Sequence, residues 1–278
     1  MKFIKMHGLG NDFVIVNGFQ QVIPEDLSIL AQKICHRQFG VGADGLVVVL
    51  PSDSADLRMR IFNADGTEPE MCGNAIRCVA KFAYTHGLIK GKDATVETLA
   101  GIIGPEVIFR DGSISGIRVD MGEPRLEPAD IPVISKNKQF VSEQLIMEGE
   151  KLYITAVSMG NPHCLLFVED IFHAPVKTLG PKLETHNLFP LKTNVEFIQV
   201  LNENEVKMRV WERGVGETLA CGTGACATVV ACVLNGKTRR EIIVHLTGGD
   251  LHLEWANNNH VFMTGPAEEV FEGRYIGY

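Results

Sequence analysis

The sequence repeats itself, and this internal repeat constrains the fold more than any other feature. Residues 59–73 align with residues 208–222, and Met, Arg, Glu, Cys and Gly coincide within that block. Two earlier blocks align in nearly the same register: 10–13 with 160–163, and 44–47 with 194–197. Matches at one spacing along a chain are typical of a duplicated fold, so we predict two domains of similar architecture.

The two halves of the repeat have the same order of predicted strands. Runs of β-branched and apolar residues, which favour strands, precede the cysteine that the two long blocks share. The runs of the first half are 13–16, 46–50 and 58–62, and those of the second half are 164–168, 195–200 and 206–211. A further strand is predicted after the second cysteine, at 241–246.

A helix is predicted immediately after each of these cysteines. Apolar residues recur at helical spacing after Cys72, and residues 222–234, which follow Cys221, contain no charged residue. Helices that are apolar on nearly all sides are buried ones. We therefore predict an α+β fold with two pseudo-symmetric domains, each a β-sheet or barrel wrapped around a central helix. The active site is expected in the cleft between them.

The composition favours a small-molecule substrate. The formal net charge is −8, and no run of lysines and arginines offers a surface to nucleic acid or to a membrane. Charged residues near the N-terminus interrupt any signal region, and no later stretch approaches about 18 uninterrupted apolar residues. The seven cysteines are an odd number, which argues against a secreted disulfide framework. We expect a cytoplasmic protein with reduced thiols, without nucleic-acid or membrane partners.

Two patterns that could indicate a nucleotide or a metal are interpreted otherwise. Residues 40–45 match a glycine-rich dinucleotide pattern, but they lead into a predicted strand instead of following one and opening a helix. We interpret these glycines as turn residues. The pairs Cys72/Cys78 and Cys221/Cys226 are too widely spaced for a zinc clip, and no histidine pair with metal-ligand spacing accompanies them. We therefore expect no metal.

Cys72 and Cys221 differ from the other five cysteines, which we interpret as small buried hydrophobic residues. Each precedes a glycine at a predicted helix N-terminus, where the helix dipole is expected to lower a thiol pKa from about 8.5 toward neutrality. The N–H groups there can also hold a carboxylate. Two thiols on opposite walls suit inversion of a stereocentre, because one can take a proton while the other returns one. Two helix N-termini would stabilise the carbanion without a cofactor.

Several short motifs carry a resemblance to a known family. They lie at 6–13, 62–66, 72–74, 160–164, 211–214 and 220–226. Together they resemble the diaminopimelate epimerases, nearly end to end. The resemblance implies an isomerase that interconverts LL-diaminopimelate and meso-diaminopimelate in lysine and peptidoglycan biosynthesis, without pyridoxal phosphate or metal.

The resemblance also implies a role for each site residue. Cys72 and Cys221 would be the acid/base pair, and His163 and Glu212 would border them and tune their protonation. Backbone N–H groups would hold the carboxylate at the reacting end, in Gly73, Asn74, Gly222 and Thr223. The distal amino-acid end would be bound by Asn11, Asn63, Asn161, Asn194, Glu212 and Arg213. Some members have glutamine where this chain has Gly45, so only a backbone contact is expected there.

Domain limits and oligomeric state are likewise implied by the resemblance. The last strand is expected to return to the N-terminal domain, which gives the limits 1–118 with 268–278 for the domain that carries Cys72. The second domain, with Cys221, would span 119–267. A homodimer is expected.

Three other functions are compatible with parts of the sequence. A related racemase or isomerase of the proline racemase type, acting on another small amino acid, would share the paired cysteines. A cysteine hydrolase could use Cys221 with His163 or His7, but it would leave Cys72 without a role. A binding protein could hold an amino acid at the same helix ends, yet it would exchange no α-proton.

Overall fold

The described part of the chain, residues 1–277 of this computed structural model, contains four helices and eighteen strands. It divides into two compact units. The first unit consists of Met1–Asp120 together with the segment that begins at Thr264, and the second is Met121–Met263. The first unit is therefore assembled from two separate stretches of chain, whereas the second is continuous.

The first unit is a sheet of seven strands with two helices and a hairpin. Its elements are β1 (Lys2–Gly8), β2 (Asn11–Asn17), α1 (Leu27–Ile34), β3 (Gly45–Leu50), β4 (Leu57–Asn63), α2 (Gly73–Thr85), β5 (Val96–Thr98), β6 (Gly101–Ile103), β7 (Glu106–Arg110), β8 (Ser113–Asp120) and β18 (Glu268–Arg274). The order in the sheet is β18-β1-β2-β3-β4-β5-β6, and β7 and β8 form the antiparallel hairpin. Strands β2 and β3 are parallel, with Phe13 opposite Gly45.

Helix α2 is the central element of the first unit. It packs against β1, β2, β4, β7 and β8, and its apolar side chains are buried from Ile76 to Ala83. Helix α1 packs with alternate residues of β2 and β3, among them Val14 and Val48. Because both faces of these strands are covered, their sequences are apolar runs without alternation.

The second unit has the same plan. Its elements are β9 (Glu143–Met147), β10 (Glu150–Ser158), β11 (Pro162–Phe167), α3 (Val176–Glu184), β12 (Asn194–Asn202), β13 (Glu205–Glu212), β14 (Gly216–Thr218), α4 (Gly222–Leu234), β15 (Glu241–Leu246), β16 (Gly249–Trp255) and β17 (Val261–Gly265). The strand order is β17-β16-β15-β13-β12-β11-β10-β9, with β14 paired to β13. Helix α4 packs against β10, β11, β12, β15 and β16.

Corresponding strands of the two units pair in the same way. In the first unit β1/β2 is antiparallel, β2/β3 parallel and β3/β4 antiparallel. In the second unit β10/β11, β11/β12 and β12/β13 repeat that series. Each central helix begins at the residue after its cysteine, because Cys72 and Cys221 are the N-cap residues. The predicted α+β class, with two sheet-rich units that each contain a central helix, is confirmed.

Two helices were not predicted from the sequence, and the domain limits stay predictions. Helices α1 and α3 were not predicted, although Asp26 caps α1 by accepting a hydrogen bond from the Ile29 N–H at 2.9 Å. Helix α3 contains Pro181. The repeat-domain limits 1–118 with 268–278 and 119–267 stay predictions, and Tyr278 lies outside the described residues.

Gly180 lies where α3 meets β13, and its lack of a side chain is required there. A Cβ atom added to Gly180 would lie 2.7 Å from Cβ and 2.8 Å from Cγ of Trp211. Trp211 is held in place by a hydrogen bond of 2.7 Å from its Nε1 to Glu184. We expect Gly180→Ala to lower the free energy of unfolding by about 1 to 3 kcal/mol, because the added methyl overpacks the contact. Guanidinium denaturation measures the change.

Thr178→Ala, at an exposed position of the same helix, is the matched control. It is expected to change the free energy of unfolding by no more than about 0.5 kcal/mol. Glycine in a helix usually costs about 0.5 to 1 kcal/mol relative to alanine. A stabilised Gly180→Ala protein would therefore show that Trp211 moves away and that the contact imposes no constraint.

Candidate active site

Cys221 is buried at the first turn of α4. Its backbone is extended, with φ −123° and ψ 112°, which places its sulfur beside the first N–H groups of the helix. The Gly224 N–H donates to Cys221 Sγ at 3.4 Å, and Thr223 Oγ1 lies 3.6 Å from the same sulfur. The side chain therefore serves as the cap of its own helix.

Glu212, at the end of β13, is the acidic neighbour of Cys221. Its carboxylate accepts hydrogen bonds from the Thr218 hydroxyl and from the Cys221 thiol. Burial raises the pKa of Glu212, although these two hydrogen bonds oppose the effect. The pair consists of a thiol that donates a proton and a carboxyl group that can accept one.

The environment of Cys221 contradicts the expected lowering of its pKa. Burial raises the pKa of the Cys221 thiol well above its ordinary value, and the negative charges of Glu212 and Glu196 raise it further. The hydrogen bonds from Thr223 and Gly224 act in the opposite direction but are the smaller effects. The expectation was wrong because it considered the helix terminus alone and not the dry, acidic surroundings. Cys221 is therefore a thiol at neutral pH.

Cys72 occupies the equivalent position at the start of α2 and is only half-buried. Its backbone is extended, with φ −141° and ψ 119°. Its sulfur lies 3.9 Å from Asn11 Oδ1, which also accepts a hydrogen bond of 3.0 Å from Asn74 Nδ2. Asn11 in turn donates to Asp44 Oδ2 at 2.8 Å. Asn11 is thus fixed from both ends, beside the cysteine.

Asp44 belongs to a charged network that sequence reasoning did not identify. Arg37 Nη2 lies 2.6 Å from Asp44 Oδ1 and 2.9 Å from Asp12 Oδ1, and Lys5 Nζ lies 2.5 Å from Asp12 Oδ2. Burial raises the pKa of Asp12, but hydrogen bonds from Arg37 and Lys5 outweigh it and lower the pKa to about 2. The two cations and two carboxylates balance, and together they hold the strand ends that carry Asn11.

His163 is fully buried and connects two strands to the start of α4. Its Nδ1 lies 2.7 Å from Glu196 Oε1, and its Nε2 lies 3.0 Å from Asn161 Oδ1. Asn161 donates through Nδ2 to Thr223 Oγ1 at 3.2 Å. The structure therefore brings His163, Asn161 and Thr223 together in one hydrogen-bonded chain that ends beside Cys221.

The residues predicted to bind the distal end of the substrate are divided between the two units. Asn194 donates to the Pro162 carbonyl at 2.9 Å and accepts from the Arg213 N–H at 2.9 Å, so its buried side chain orients the chain at Arg213. Arg213 Nη1 donates to the Leu191 carbonyl at 3.1 Å. Asn63 lies in the first unit, exposed at the end of β4, where it donates to Thr67 Oγ1 at 2.9 Å.

The four residues predicted to bind a carboxylate through their backbones open the two central helices. Gly73 and Asn74 are the first residues of α2, and Gly222 and Thr223 are the first residues of α4. N–H groups in the first turn of a helix have no partner within the helix, and they carry the positive end of its dipole. These positions can therefore hold an anionic group.

Other sequence patterns have structural explanations. Residues 40–45 lead directly into β3, and a Cβ on Gly45 would lie 2.9 Å from the Phe62 carbonyl oxygen, so any larger residue here would require the adjacent strand to shift. None of the seven cysteines, all of which the structure describes, is in a disulfide bond. Over residues 1–277, histidine, cysteine, aspartate and glutamate form no cluster of three or more that could hold a metal. No helix in the same range is long and apolar enough to cross a membrane.

Besides the charged network around Asp44, three further polar residues at the site were missed by sequence reasoning. Arg77 and Glu196 are fully buried, and Thr218 binds Glu212. Glu196 lies between two apolar residues in the buried part of β12, and Arg77 interrupts the apolar stripe of α2. A charge at a predicted core position was the available signal in both cases.

Comparison with known proteins identifies close relatives. The family model of diaminopimelate epimerase matches residues 3–127 and 155–270. The diaminopimelate epimerase of Moorella thermoacetica is 58% identical over 276 residues, which are 99% of each chain. That of Pelotomaculum thermopropionicum is 59% identical over 276 residues, again 99% of each chain. A crystal structure of the Bacillus anthracis phenazine biosynthesis protein of the PhzF family has the same fold, with a TM-score of 0.72, 19% identity and 98% of each chain covered.

The charged network around Asp12 predicts a specific dependence of stability on pH. A carboxyl whose pKa is depressed in the folded state stabilises that state above its unfolded pKa, about 3.9, and the stabilisation is lost as pH falls toward the folded value. We expect Asp12→Asn to lower the free energy of unfolding by about 1 to 3 kcal/mol at pH 7. The difference from the unsubstituted protein should shrink between pH about 4 and about 2.

Urea denaturation at a series of pH values measures this difference. Asp53→Asn, which removes an exposed carboxylate outside the network, is the control and should leave stability nearly unchanged at every pH. If Asp12→Asn and Asp53→Asn gave the same pH dependence, the network would not stabilise the first unit.

Proposed function

We propose, since the chain belongs to the diaminopimelate epimerase family, that it is an isomerase that interconverts LL-diaminopimelate and meso-diaminopimelate by proton transfer at one α-carbon. The observation that carries the proposed mechanism is the placement of Cys72 and Cys221 as N-cap residues of the two central helices of a duplicated fold. In this mechanism one cysteine, as thiolate, takes the α-proton. The other, as thiol, donates a proton to the opposite face.

The roles of the two cysteines are exchanged after each turnover. The cysteine that took the proton is then a thiol, and its partner is a thiolate, so the enzyme is ready for the reverse reaction. The thiol form of Cys221 beside Glu212 supports its action as the acid in one direction. When the reverse reaction must start from an enzyme with Cys72 as thiolate and Cys221 as thiol, Glu212 can accept the Cys221 proton while Cys72 gains one from water. One thiolate and one thiol then remain. The protonation states belong to the pair of cysteines, not to either alone.

Backbone groups are proposed to stabilise the charge that develops at the α-carbon and its carboxylate. The N–H groups of Gly73, Asn74, Gly222 and Thr223 are fixed by their helices before substrate arrives, so no reorganisation is needed during the reaction. Their number and dipole suit a carboxylate that gains electron density. This arrangement requires no electron sink such as pyridoxal phosphate, and we propose that none is used.

The distal amino-acid end is proposed to be recognised by side chains. The set comprises Asn11, Asn63, Asn161, Asn194, Glu212 and Arg213. The guanidinium of Arg213 would pair with the distal carboxylate, while amide oxygens and a carboxylate would accept from the distal ammonium. His163 reaches this set through Asn161 and would act on protonation at the site.

Further properties are proposed on the family relationship alone. We expect the protein to act in the cytoplasm, to supply lysine and peptidoglycan biosynthesis, and to form a homodimer. Gel filtration with light scattering tests the last point directly.

Exchange of the α-proton with solvent tests the proposed function. The protein is incubated in deuterated water with LL-diaminopimelate, meso-diaminopimelate or proline, and α-deuteration is followed by proton NMR. We expect deuteration and interconversion of the two diaminopimelate isomers only. Exchange of proline without exchange of diaminopimelate would favour the proline racemase type, and binding without exchange would favour a binding protein.

Replacement of each cysteine tests the two-base mechanism. We expect Cys72→Ala and Cys221→Ala to lose epimerisation in both directions by about 10⁴-fold, because each thiol is the acid in one direction and the base in the other. Binding should survive, since the carboxylate is held by backbone groups. Each variant should still deuterate slowly the one isomer whose α-hydrogen faces its remaining thiol, so the two variants should prefer opposite isomers.

Cys78→Ala and Cys232→Ala are the matched controls, because each removes a buried thiol from the same helix as one of the active cysteines. Both should retain kcat within about threefold, consistent with a small apolar change away from the reacting atoms. Retention of two-way epimerisation by Cys72→Ala, with Cys221→Ala inactive, would replace the two-base mechanism by one with a single cysteine.

Substrate choice tests the proposed distal site. Lysine lacks the distal carboxylate, and a site with fixed polar groups rejects an analogue that leaves them unpaired. We expect kcat/KM for lysine to be about 10³- to 10⁵-fold below that for LL-diaminopimelate. The substitution Arg213→Ala should reduce the ratio between these two kcat/KM values. Arg239→Ala, at an exposed arginine paired with Glu203, should leave the ratio of the two kcat/KM values unchanged. Similar kcat/KM values for the two substrates would contradict the assignment.

A further inference from the structure

We infer that two buried charged residues, Arg77 and Glu196, are positioning residues that hold Cys72 as the thiolate and Cys221 as the thiol in the resting enzyme. The inference rests on the proposed two-cysteine function and deepens it. Neither residue belongs to the set proposed to touch the substrate. Each lies beneath the start of one central helix, and the two charges are opposite.

Glu196 is a fully buried carboxylate on β12, and one of its oxygens has no partner. Its Oε1 lies 2.7 Å from His163 Nδ1, whereas Oε2 accepts no hydrogen bond although it is inaccessible to solvent. An unsatisfied buried carboxylate oxygen costs free energy that a leucine at the same position would not. A buried charge kept at such a cost is a candidate for a functional role.

Gly224 lies between this carboxylate and Cys221, and it has no side chain to separate them. A Cβ added to Gly224 would lie 2.7 Å from Glu196 Oε1 and 3.3 Å from Cys221 Sγ. Sulfur and carboxylate therefore flank one point in the first turn of α4, with no side chain between them. A negative charge so close to a buried sulfur disfavours a second negative charge on it, which favours the thiol.

Arg77 is the corresponding buried cation beneath α2. Its Nη1 donates to the Gly73 carbonyl at 3.2 Å and its Nη2 to Asn74 Oδ1 at 2.9 Å. Asn74 donates to Asn11 Oδ1, which also accepts a hydrogen bond of 3.9 Å from the Cys72 thiol; this contact favours the thiol only weakly because it is long. The positive charge of the Arg77 guanidinium at the helix start acts in the opposite direction and favours the thiolate of the half-buried Cys72.

The internal repeat supports this interpretation independently. The register that aligns Cys72 with Cys221 aligns Arg77 with Cys226, and the register of the earlier blocks aligns Leu46 with Glu196. Each half thus has a neutral residue where the other has its buried charge. The two cysteines therefore occupy equivalent positions in the two halves, but the buried charge near Cys72 is positive and the one near Cys221 is negative.

Other ionisable groups near the two cysteines do not cancel this difference. Around Cys221, Glu212 on β13 adds a second negative charge, and His163 on β11 lies at hydrogen-bonding distance, 2.7 Å, from Glu196. Within β10, β15 and β16 no ionisable side chain is buried, and the thiols of Cys164 and Cys226 are neutral members of the core. Around Cys72, charged groups pair with one another: Lys5, Asp12, Arg37 and Asp44 in one network, Arg60 with Glu68, and Lys81 with Glu268.

Alkylation of the two cysteines as a function of pH tests the inference without requiring turnover. The substrate-free protein is treated with iodoacetamide across a pH series, and modification of Cys72 and Cys221 is quantified separately by peptide mass spectrometry. The midpoint of each profile reports thiolate formation, while the plateau rate reports access, so the deeper burial of Cys221 does not confuse the comparison. We expect the midpoint for Cys72 to lie at least about 1 pH unit below that for Cys221.

Glu196→Gln is the informative variant, because it keeps an oxygen for His163 and removes the charge. We expect the Cys221 midpoint to fall by about 1 unit or more, in either protonation state of His163, and the Cys72 midpoint to stay unchanged. In the same variant kcat should fall about tenfold with KM changed less than about twofold, as expected of a residue that acts through another. Glu184→Gln is the matched control: its buried carboxylate is satisfied by Trp211 and Gly214, and its loss should move neither midpoint.

Arg77→Met should raise the Cys72 midpoint and leave that of Cys221 unchanged. If that variant does not fold, the order of midpoints in the unsubstituted protein and the Glu196→Gln shift still decide the question. An unchanged Cys221 midpoint in Glu196→Gln, or a Cys221 midpoint below that of Cys72, would overturn the inference. Because α-deuteration of diaminopimelate is measured separately, failure of the proposed function and failure of this charge assignment give different results.

Discussion

The first turns of α2 and α4 are the constraint on which the site residues depend. A helix start leaves backbone N–H groups without helical partners, so side chains, water or a ligand must satisfy them. Cys221 satisfies one of these groups with its own sulfur, while those of Gly222 and Thr223 remain available for an anion. The polar residues near the two helix starts, such as Asn11 and Glu212, position the groups around these two termini.

Much of the fold could be predicted because the internal repeat presents the same order of strands and helix in both halves of the sequence. The apolar runs that became β2, β3, β11 and β12 lie between covering helices, so their burial was evident from composition, and the cysteines marked the starts of α2 and α4. Helix α3 was not evident, because Pro181 interrupts its pattern and because its last residue, Glu184, is held by Trp211, which is distant in sequence. Such tertiary contacts leave no local pattern.

The electrostatics of the site were less predictable than its residues. The sequence indicates that Cys221 begins a helix, but Glu196 and Glu212 reach it from two strands, and their charges and the loss of water outweigh the helix dipole. Asn194 is predicted to bind the substrate, and no pattern in the sequence indicated that its amide also fixes Pro162 and Arg213. In both cases the outcome depends on which strands become neighbours, which single-sequence patterns do not specify.

The pairing of β1 with β18 affects how the chain can fold during synthesis. The N-terminal amine of Met1 bonds to the Tyr275 carbonyl at 2.8 Å, and the Tyr275 N–H returns a bond to Met1. The unit translated first therefore lacks an edge strand until the whole of Met121–Met263 has left the ribosome. The second unit is continuous, so it needs no later segment of the chain to complete its sheet, whereas the first unit must wait for β18. Until then β1 has an unpaired edge that is open to association with other chains.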